Sequence, residues 1–289
     1  MYHGTYTEYI SGRSLQMKSA IPSNDPRLSG FRAHQVIISP GRTSGRQNLR
    51  GLHSWPQFSD EELLEIERLS LHVPDSPWLM KVNGHPFELV WSPSLPIELL
   101  YLLLVSDYEQ SDCDLIKRYV RRGDRAVEVG GGIGLTGMYL AMVSCNQVRL
   151  VEPNYRLWPW IESNFSRNNL GLDLVRSACG VELEVLLTLS HNYWWSSSRL
   201  PKDQGDESIA APCISLESAC SGMNVLSVDI EGSEVEVLSQ TIPSGIRTLF
   251  CEIHTPDIGG GATGELLSGL VRQGFSIVDQ SSWTWVFKR

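Results

Sequence analysis

At 289 residues with 42% apolar side chains, the chain is long enough for one large domain, or for a core domain with an extension, and can build a buried core. No run approaches the roughly 18 apolar residues that span a bilayer, and the start Met1-Tyr2-His3-Gly4-Thr5-Tyr6 lacks the basic and apolar regions of a signal peptide, so a cytoplasmic location is expected. The net charge of −9 is uneven: residues 1–58 carry seven basic side chains against Glu8 and Asp25, about +5, which leaves about −14 for the rest.

In chain order, residues 1–58 are rich in Ser, Gly, Pro, Arg and Asn without sustained periodicity, and are expected to form a basic, irregular, partly disordered arm. Ser59-Asp60-Glu61-Glu62 has capping-box spacing and opens a short helix to about Ser70, with Leu63, Ile66 and Leu69 on one face. Trp78 to Val82 and Phe87 to Trp91 flank Asn83-Gly84 and read as a β-hairpin, so residues 59–95 form a small adjunct. From residue 96 to 289 strands and helices alternate, which predicts a mostly parallel sheet covered by helices on both faces.

Helices are expected near 97–105, 111–121, 134–143, 155–168, 233–242 and 263–273, the regular part of the fourth starting near Pro159, and strands at 125–130, 148–151, 173–178, 225–229 and 248–253. The last two apolar runs, 275–278 and 284–287, are too close for a parallel crossover and must pair antiparallel. Cys113, Cys145, Cys179, Cys213, Cys220 and Cys251 contain no C-x-x-C pair, so they read as buried free thiols rather than zinc ligands.

One stretch carries chemistry. Arg125 to Gly134 runs from a short apolar strand through Glu128 into Gly130, Gly131, Gly132 and Gly134, where missing side chains let the backbone turn tightly and approach a ligand. Gly132-Ile133-Gly134-Leu135-Thr136-Gly137, with Glu152 about twenty residues on, also satisfies the dinucleotide fingerprint of a nicotinamide enzyme. That register leaves Glu128, Gly130 and Gly131 without a task, and a terminal antiparallel hairpin does not suit a nicotinamide domain.

The sequence resembles the FkbM-type S-adenosylmethionine (SAM) methyltransferases. The match lies in Glu128 to Gly134, in Val151-Glu152-Pro153-Asn154 with Asn168-Asn169, and in Ser227-Val228-Asp229-Ile230-Glu231-Gly232-Ser233-Glu234. Tyr108-Glu109 and Cys251-Glu252-Ile253-His254 also fit the pattern, whereas the third consecutive glycine, Gly131, and a long insert at about 190–212 depart from it. The resemblance covers residues 97–289 and implies a Rossmann-like class I fold of seven strands, with SAM as cofactor and S-adenosylhomocysteine as product.

In this reading Gly130, Gly132, Gly134 and Glu128 hold the methionine part of SAM, Glu152 takes the ribose hydroxyls, and Ser177 and Ala178 either flank the adenine or are ordinary loop residues. Asp229 and Glu231 alternate along a strand end and should face the sulfonium and the acceptor, although Glu231 could instead cap the helix at Ser233. Glu252 and His254 share a face by the same alternation. His254, with an ordinary pKa of about 6.5, is the candidate general base; its alternative is a structural histidine bonded to the following loop.

No metal site is assigned, because nothing in the sequence sets the spacing at which Asp229, Glu252 and His254 would bind a divalent cation. His191-Asn192-Tyr193-Trp194-Trp195 reads as a lid able to stack on a ring, or as a plain surface loop. The expected activity is O-methylation of a small metabolite or sugar. The alternatives are an RNA-directed methyltransferase guided by the basic arm and a non-catalytic SAM-binding module.

Overall fold

The computed structural model describes residues 6–10, 13–19, 34–38, 59–70, 78–81, 85–91, 95–105, 108–189, 196–197 and 207–289. The chain forms two compact units, residues 1–51 with 55–108 and residues 52–54 with 109–289.

The first unit begins with strands β1 (Tyr6–Ile10), β2 (Arg13–Ser19) and β3 (His34–Ile38), paired antiparallel in that order. A partly irregular arm was expected over 1–58, and these three strands lie within it. Arg13 to Ser19 alternates polar residues with Leu15 and Met17, and the pair Ile10 and Arg13 leaves the two-residue spacing of a tight hairpin.

Helix α1 (Asp60–Ser70) starts with the expected box: Ser59 N–H donates to Glu62 Oε2 at 2.9 Å and Glu62 N–H to Ser59 Oγ at 3.3 Å. Its apolar stripe buries Ile66 and Leu69 but leaves Leu63 half exposed, so only the second half of the stripe is covered. Strands β4 (Trp78–Lys81) and β5 (Glu88–Trp91) form the expected antiparallel pair, while Asn83 and Gly84 lie outside the described residues. Helix α2 (Ile97–Val105) is buried from Leu99 to Val105 and belongs to this unit, although the sequence boundary near 96 put it with the second.

The second unit runs α3 (Gln110–Tyr119), β6 (Ala126–Val129), α4 (Leu135–Ser144), β7 (Val148–Val151), α5 (Trp158–Arg167), β8 (Leu172–Val175), β9 (Ala178–Cys179), β10 (Glu184–Leu189), β11 (Ser196–Ser197) and β12 (Glu207–Ile214). It continues α6 (Leu216–Ala219), β13 (Val225–Val228), α7 (Glu234–Leu238), β14 (Thr248–Glu252), α8 (Thr255–Ile258), α9 (Gly260–Arg272), β15 (Ser276–Ser281) and β16 (Thr284–Lys288). Seven strands form one sheet in the order β15-β16-β14-β13-β6-β7-β8. β8, β7, β6, β13 and β14 are parallel, and β16 is antiparallel to both β14 and β15. This is the expected Rossmann-like sheet of seven strands, mostly parallel and ending in an antiparallel hairpin.

Strand order reverses between β6, which leads outward to β7 and β8, and β13, which leads the other way; a crevice opens at the carboxyl ends of strands at such a switch. Alternation divides the faces. Val127, Val129, Leu226 and Val228 join Val237, Leu266 and Leu270 of α7 and α9 in one core, while Glu128, on the opposite face of β6, sits under α4. The outermost strand β8 is tied to its neighbour by Arg149 Nε donating to Asp173 Oδ2 at 2.8 Å.

α5 starts at Trp158 with Pro159 in its first turn, where a missing N–H costs nothing, as the proline requires. Two other expected boundaries shift. α7 stops at Leu238 rather than 242. The strand expected at 173–178 ends at Val175; Ala178 and Cys179 join a second sheet, β11-β10-β12-β9, to which the insert contributes β11 and most of β12. Cys145 is exposed rather than buried, since it closes α4 in a left-handed conformation. Among the described residues no helix is long and apolar enough to cross a membrane.

Candidate active site

The glycine turn sits at the switch point. A Cβ on Gly130, whose φ is +89°, would lie 1.6 Å from the Asp229 carbonyl oxygen, so the ends of β6 and β13 meet backbone to backbone there. Gly131 is constrained by a side chain instead: its Cβ would fall 2.2 Å from Leu150 Cδ2, so a larger residue there would have to displace Leu150. Gly132 and Gly134 complete the turn with positive φ, and Gly134 opens α4.

Glu128 is 2% exposed and accepts a bond from the Thr136 hydroxyl beneath the first turn of α4. A Cβ on Gly137 would approach its Oε2 to 2.7 Å, so a small residue is needed over it. Burial raises its pKa to about 8, against the opposing pull of the Thr136 bond. Glu128 thus supports the turn from below.

Glu152, 4% exposed at the end of β7, accepts from Gly132 N–H at 3.0 Å and from Asn154 N–H at 2.7 Å. Burial lifts its pKa to about 7, and those amides pull it down. Its backbone oxygen accepts from Trp158 Nε1 at 2.8 Å, and the Arg176 guanidinium lies 5.0 Å over the Trp158 ring. Ser177 follows β8 and donates N–H to Val175 O at 3.0 Å, whereas Ala178 is already paired with Cys213 in β9 and β12.

Across the crevice, β13, α7 and β14 deliver the second half of the site. His254, 2% exposed, presents Nε2 at 3.2 Å from Glu231 Oε2 and at 3.8 Å from both Asp229 Oδ1 and Glu252 Oε1. Its Nδ1 lies 2.5 Å from Oε1 of the fully buried Glu234, which also accepts from Gly232 N–H at 2.9 Å. All four polar groups expected at one mouth are brought together. Glu231 arrives differently than expected, since β13 ends at Val228 and Glu231 turns in with φ +50°.

Sequence reasoning missed Glu234 as a site residue, and Glu109 and Asp112 as neighbours of the acids. Glu109 precedes α3, and Asp112 accepts from the Thr284 hydroxyl of β16. Donor atoms of Asp229, Glu231 and His254 lie within 4.8 Å of one another, as do those of Glu109, Asp229 and Glu252, a span a divalent cation could bridge.

Burial, then Glu252 and Glu231, push Asp229 well above its ordinary pKa, and burial with Asp112 does the same to Glu109. Burial and Glu252 raise Asp112 to about 6. Burial alone would lower the pKa of His254, but Glu231, the Glu234 bond, Glu252 and Asp229 outweigh it and hold it well above the ordinary value. An imidazolium has no lone pair for a proton. The basicity expected of His254 from its free pKa is therefore reversed by its surroundings, and the carboxylates become the better proton acceptors.

No family model matches the chain, and no curated protein matches its sequence. Similar solved structures include a TehB-like SAM-dependent methyltransferase from Corynebacterium glutamicum, 12% identical with TM-score 0.38, covering 66% of this chain and 94% of that one. A precorrin-6y C5,15-methyltransferase from Geobacter metallireducens is 10% identical with TM-score 0.37, covering 64% and 88%. A fibrillarin from Aeropyrum pernix, in complex with S-adenosyl-L-methionine, is 11% identical with TM-score 0.37, covering 61% and 73%. Likeness at this level bears on neither the site nor its chemistry; the fold rests on the order and direction of the strands.

Proposed function

We propose that the protein is an FkbM-type SAM-dependent methyltransferase that methylates a hydroxyl of a small metabolite or sugar. One observation carries the reading: at the switch point of a class I sheet, a glycine turn with Glu152 seated on its amides faces a mouth lined by Asp229, Glu231, Glu252 and His254. The residues fit the cofactor. Asp229 Oδ1 is a buried carboxylate oxygen with no hydrogen-bond partner among the described residues, suited to a sulfonium. Gly130 to Gly134 leave backbone where side chains would block approach.

SAM supplies an activated methyl on a cationic sulfur. The chain's share is alignment, which can contribute roughly 7–11 kcal/mol, and proton removal, typically about 10²–10⁴-fold. In this reading Glu152 accepts both ribose hydroxyls, Ser177 and Ala178 border the adenine, and the acid mouth attracts the cation. Asp229 in its ionised form takes the acceptor's proton, and His254 holds Glu231 in place.

Calorimetric titration with SAM, S-adenosylhomocysteine and NAD tests the assignment. SAM and its product should bind and NAD should not, and Glu152→Ala should lose about 100-fold in affinity, the worth of two hydrogen bonds to a charged group. Glu152→Gln, which keeps the side chain's shape, guards against misfolding. Binding of NAD alone would overturn the reading.

A further inference from the structure

The motif Asp229 to Glu234 leaves one acid outside the chemistry described above. Glu234 is 0% exposed at the first position of α7, behind His254 as seen from the mouth. Its Oε1 takes two bonds, from Gly232 N–H at 2.9 Å and from His254 Nδ1 at 2.5 Å. A carboxylate in that place accepts only, so Nδ1 of the imidazole carries the proton and the ring is fixed at one nitrogen. The other nitrogen, Nε2, is thereby committed to the mouth, among Glu231, Asp229 and Glu252.

We infer that Glu234 is a positioning residue: it holds the Nδ1 proton and fixes the orientation of His254, and through the ring it sets where the acids of the mouth stand. Three elements supply the device. The turn before α7, with Glu231 at φ +50° and Gly232 at φ +95°, brings the Gly232 amide onto Glu234. His254 follows β14 at the start of α8, and Trp283, between β15 and β16, packs beside the ring at 6.1 Å between centroids. Ile253 N–H donating to Trp283 O at 3.0 Å holds that side in register.

A buried carboxylate that served only to fill space would be replaceable by an apolar residue of its volume. One that orients an imidazole would not, because an amide in its place also offers donors and matches the ring less strongly. The catalytic meaning of the device rests on the methyltransferase reading; the geometry of the pair does not.

The test is proton NMR of the intact, ligand-free protein, with His254→Gln used to assign the resonance. The wild type should show a downfield, slowly exchanging imidazole N–H from His254. Glu234→Gln should lose it, and Glu234→Asp, which keeps the charge on a shorter arm, should restore it in part, while thermal midpoints report that each variant is folded. A resonance that survives in folded Glu234→Gln, or is absent from the wild type, overturns the inference. SAM titration of the same samples separates the two claims: a wild type that shows the resonance but binds no SAM keeps the positioning role and sinks the methyltransferase reading.

Discussion

Substituting alanine at Gly130 is expected to destabilise the protein by about 2–6 kcal/mol, from left-handed strain of about 1–3 kcal/mol and overpacking of about 1–3 kcal/mol. The new methyl would be built 1.6 Å from the Asp229 carbonyl oxygen, and relieving it means parting β6 from β13, where Asp229 N–H donates to Val129 O at 2.9 Å. Gly123→Ala is the internal control. Gly123 has the same φ of +89° but nothing within 4 Å of its Cβ, so it bears the backbone strain without the collision. The difference between the two denaturant midpoints, at equal slope, measures the close approach alone. Equal losses would mean that β6 and β13 do not meet as described. SAM binding should vanish in the Gly130 variant even under conditions where it is folded.

The second large effect is on pH. Glu152 is raised to about 7, so in the free protein at mildly acid pH it is largely protonated. The ribose hydroxyls would donate to its ionised form, which lowers the pKa in the complex and releases a proton on binding. Affinity for SAM should therefore climb with pH, by up to about tenfold per unit for one proton, and level off above about 7. Asp112, raised to about 6, adds its share if the sulfonium reaches it, so the slope at the acid end should be steeper still. Calorimetry in buffers of different ionisation heat, with a chelator present, counts the protons directly. Glu152→Gln has nothing to release and should bind weakly with a shallower slope. An unchanged slope in that variant would remove Glu152 from the linkage.

Local information carried most of the frame. Val148 to Val151 is a strand by composition and length, and it is β7. The short link between the last two apolar runs required an antiparallel pair, found as β15 and β16. The first unit's strands were hidden because Ser, Gly and Arg dominate the composition while the period-two signal covers only a few residues at a time. The site was legible where it depends on neighbours in sequence, as with Gly130 and Glu152.

It was less legible where partners come from afar. Glu234 reads locally as an acid at a helix start, and only the packing of β13 beside β14 brings His254 onto it. Asp112 meets Thr284 from the far end of the unit. Alternation placed Glu231 in the mouth, but the strand had already ended, and a left-handed turn does what the alternation was meant to do. The charge on His254 could not be foreseen, because a pKa belongs to the surroundings and those are assembled from three separate elements. Tyr193, Trp194 and Trp195, expected as a lid, lie outside the described residues.

The outer strand of the large sheet has a consequence for how chains meet one another. β8 is four residues long, its Asp173 is engaged by Arg149, and Gln147 Nε2 donates to its Leu172 carbonyl at 2.9 Å. An open edge is a template on which another copy can add a strand, and short length together with charge blunts it. On that side the sheet offers an incoming strand few free groups in register, and so discourages growth of one molecule onto the next.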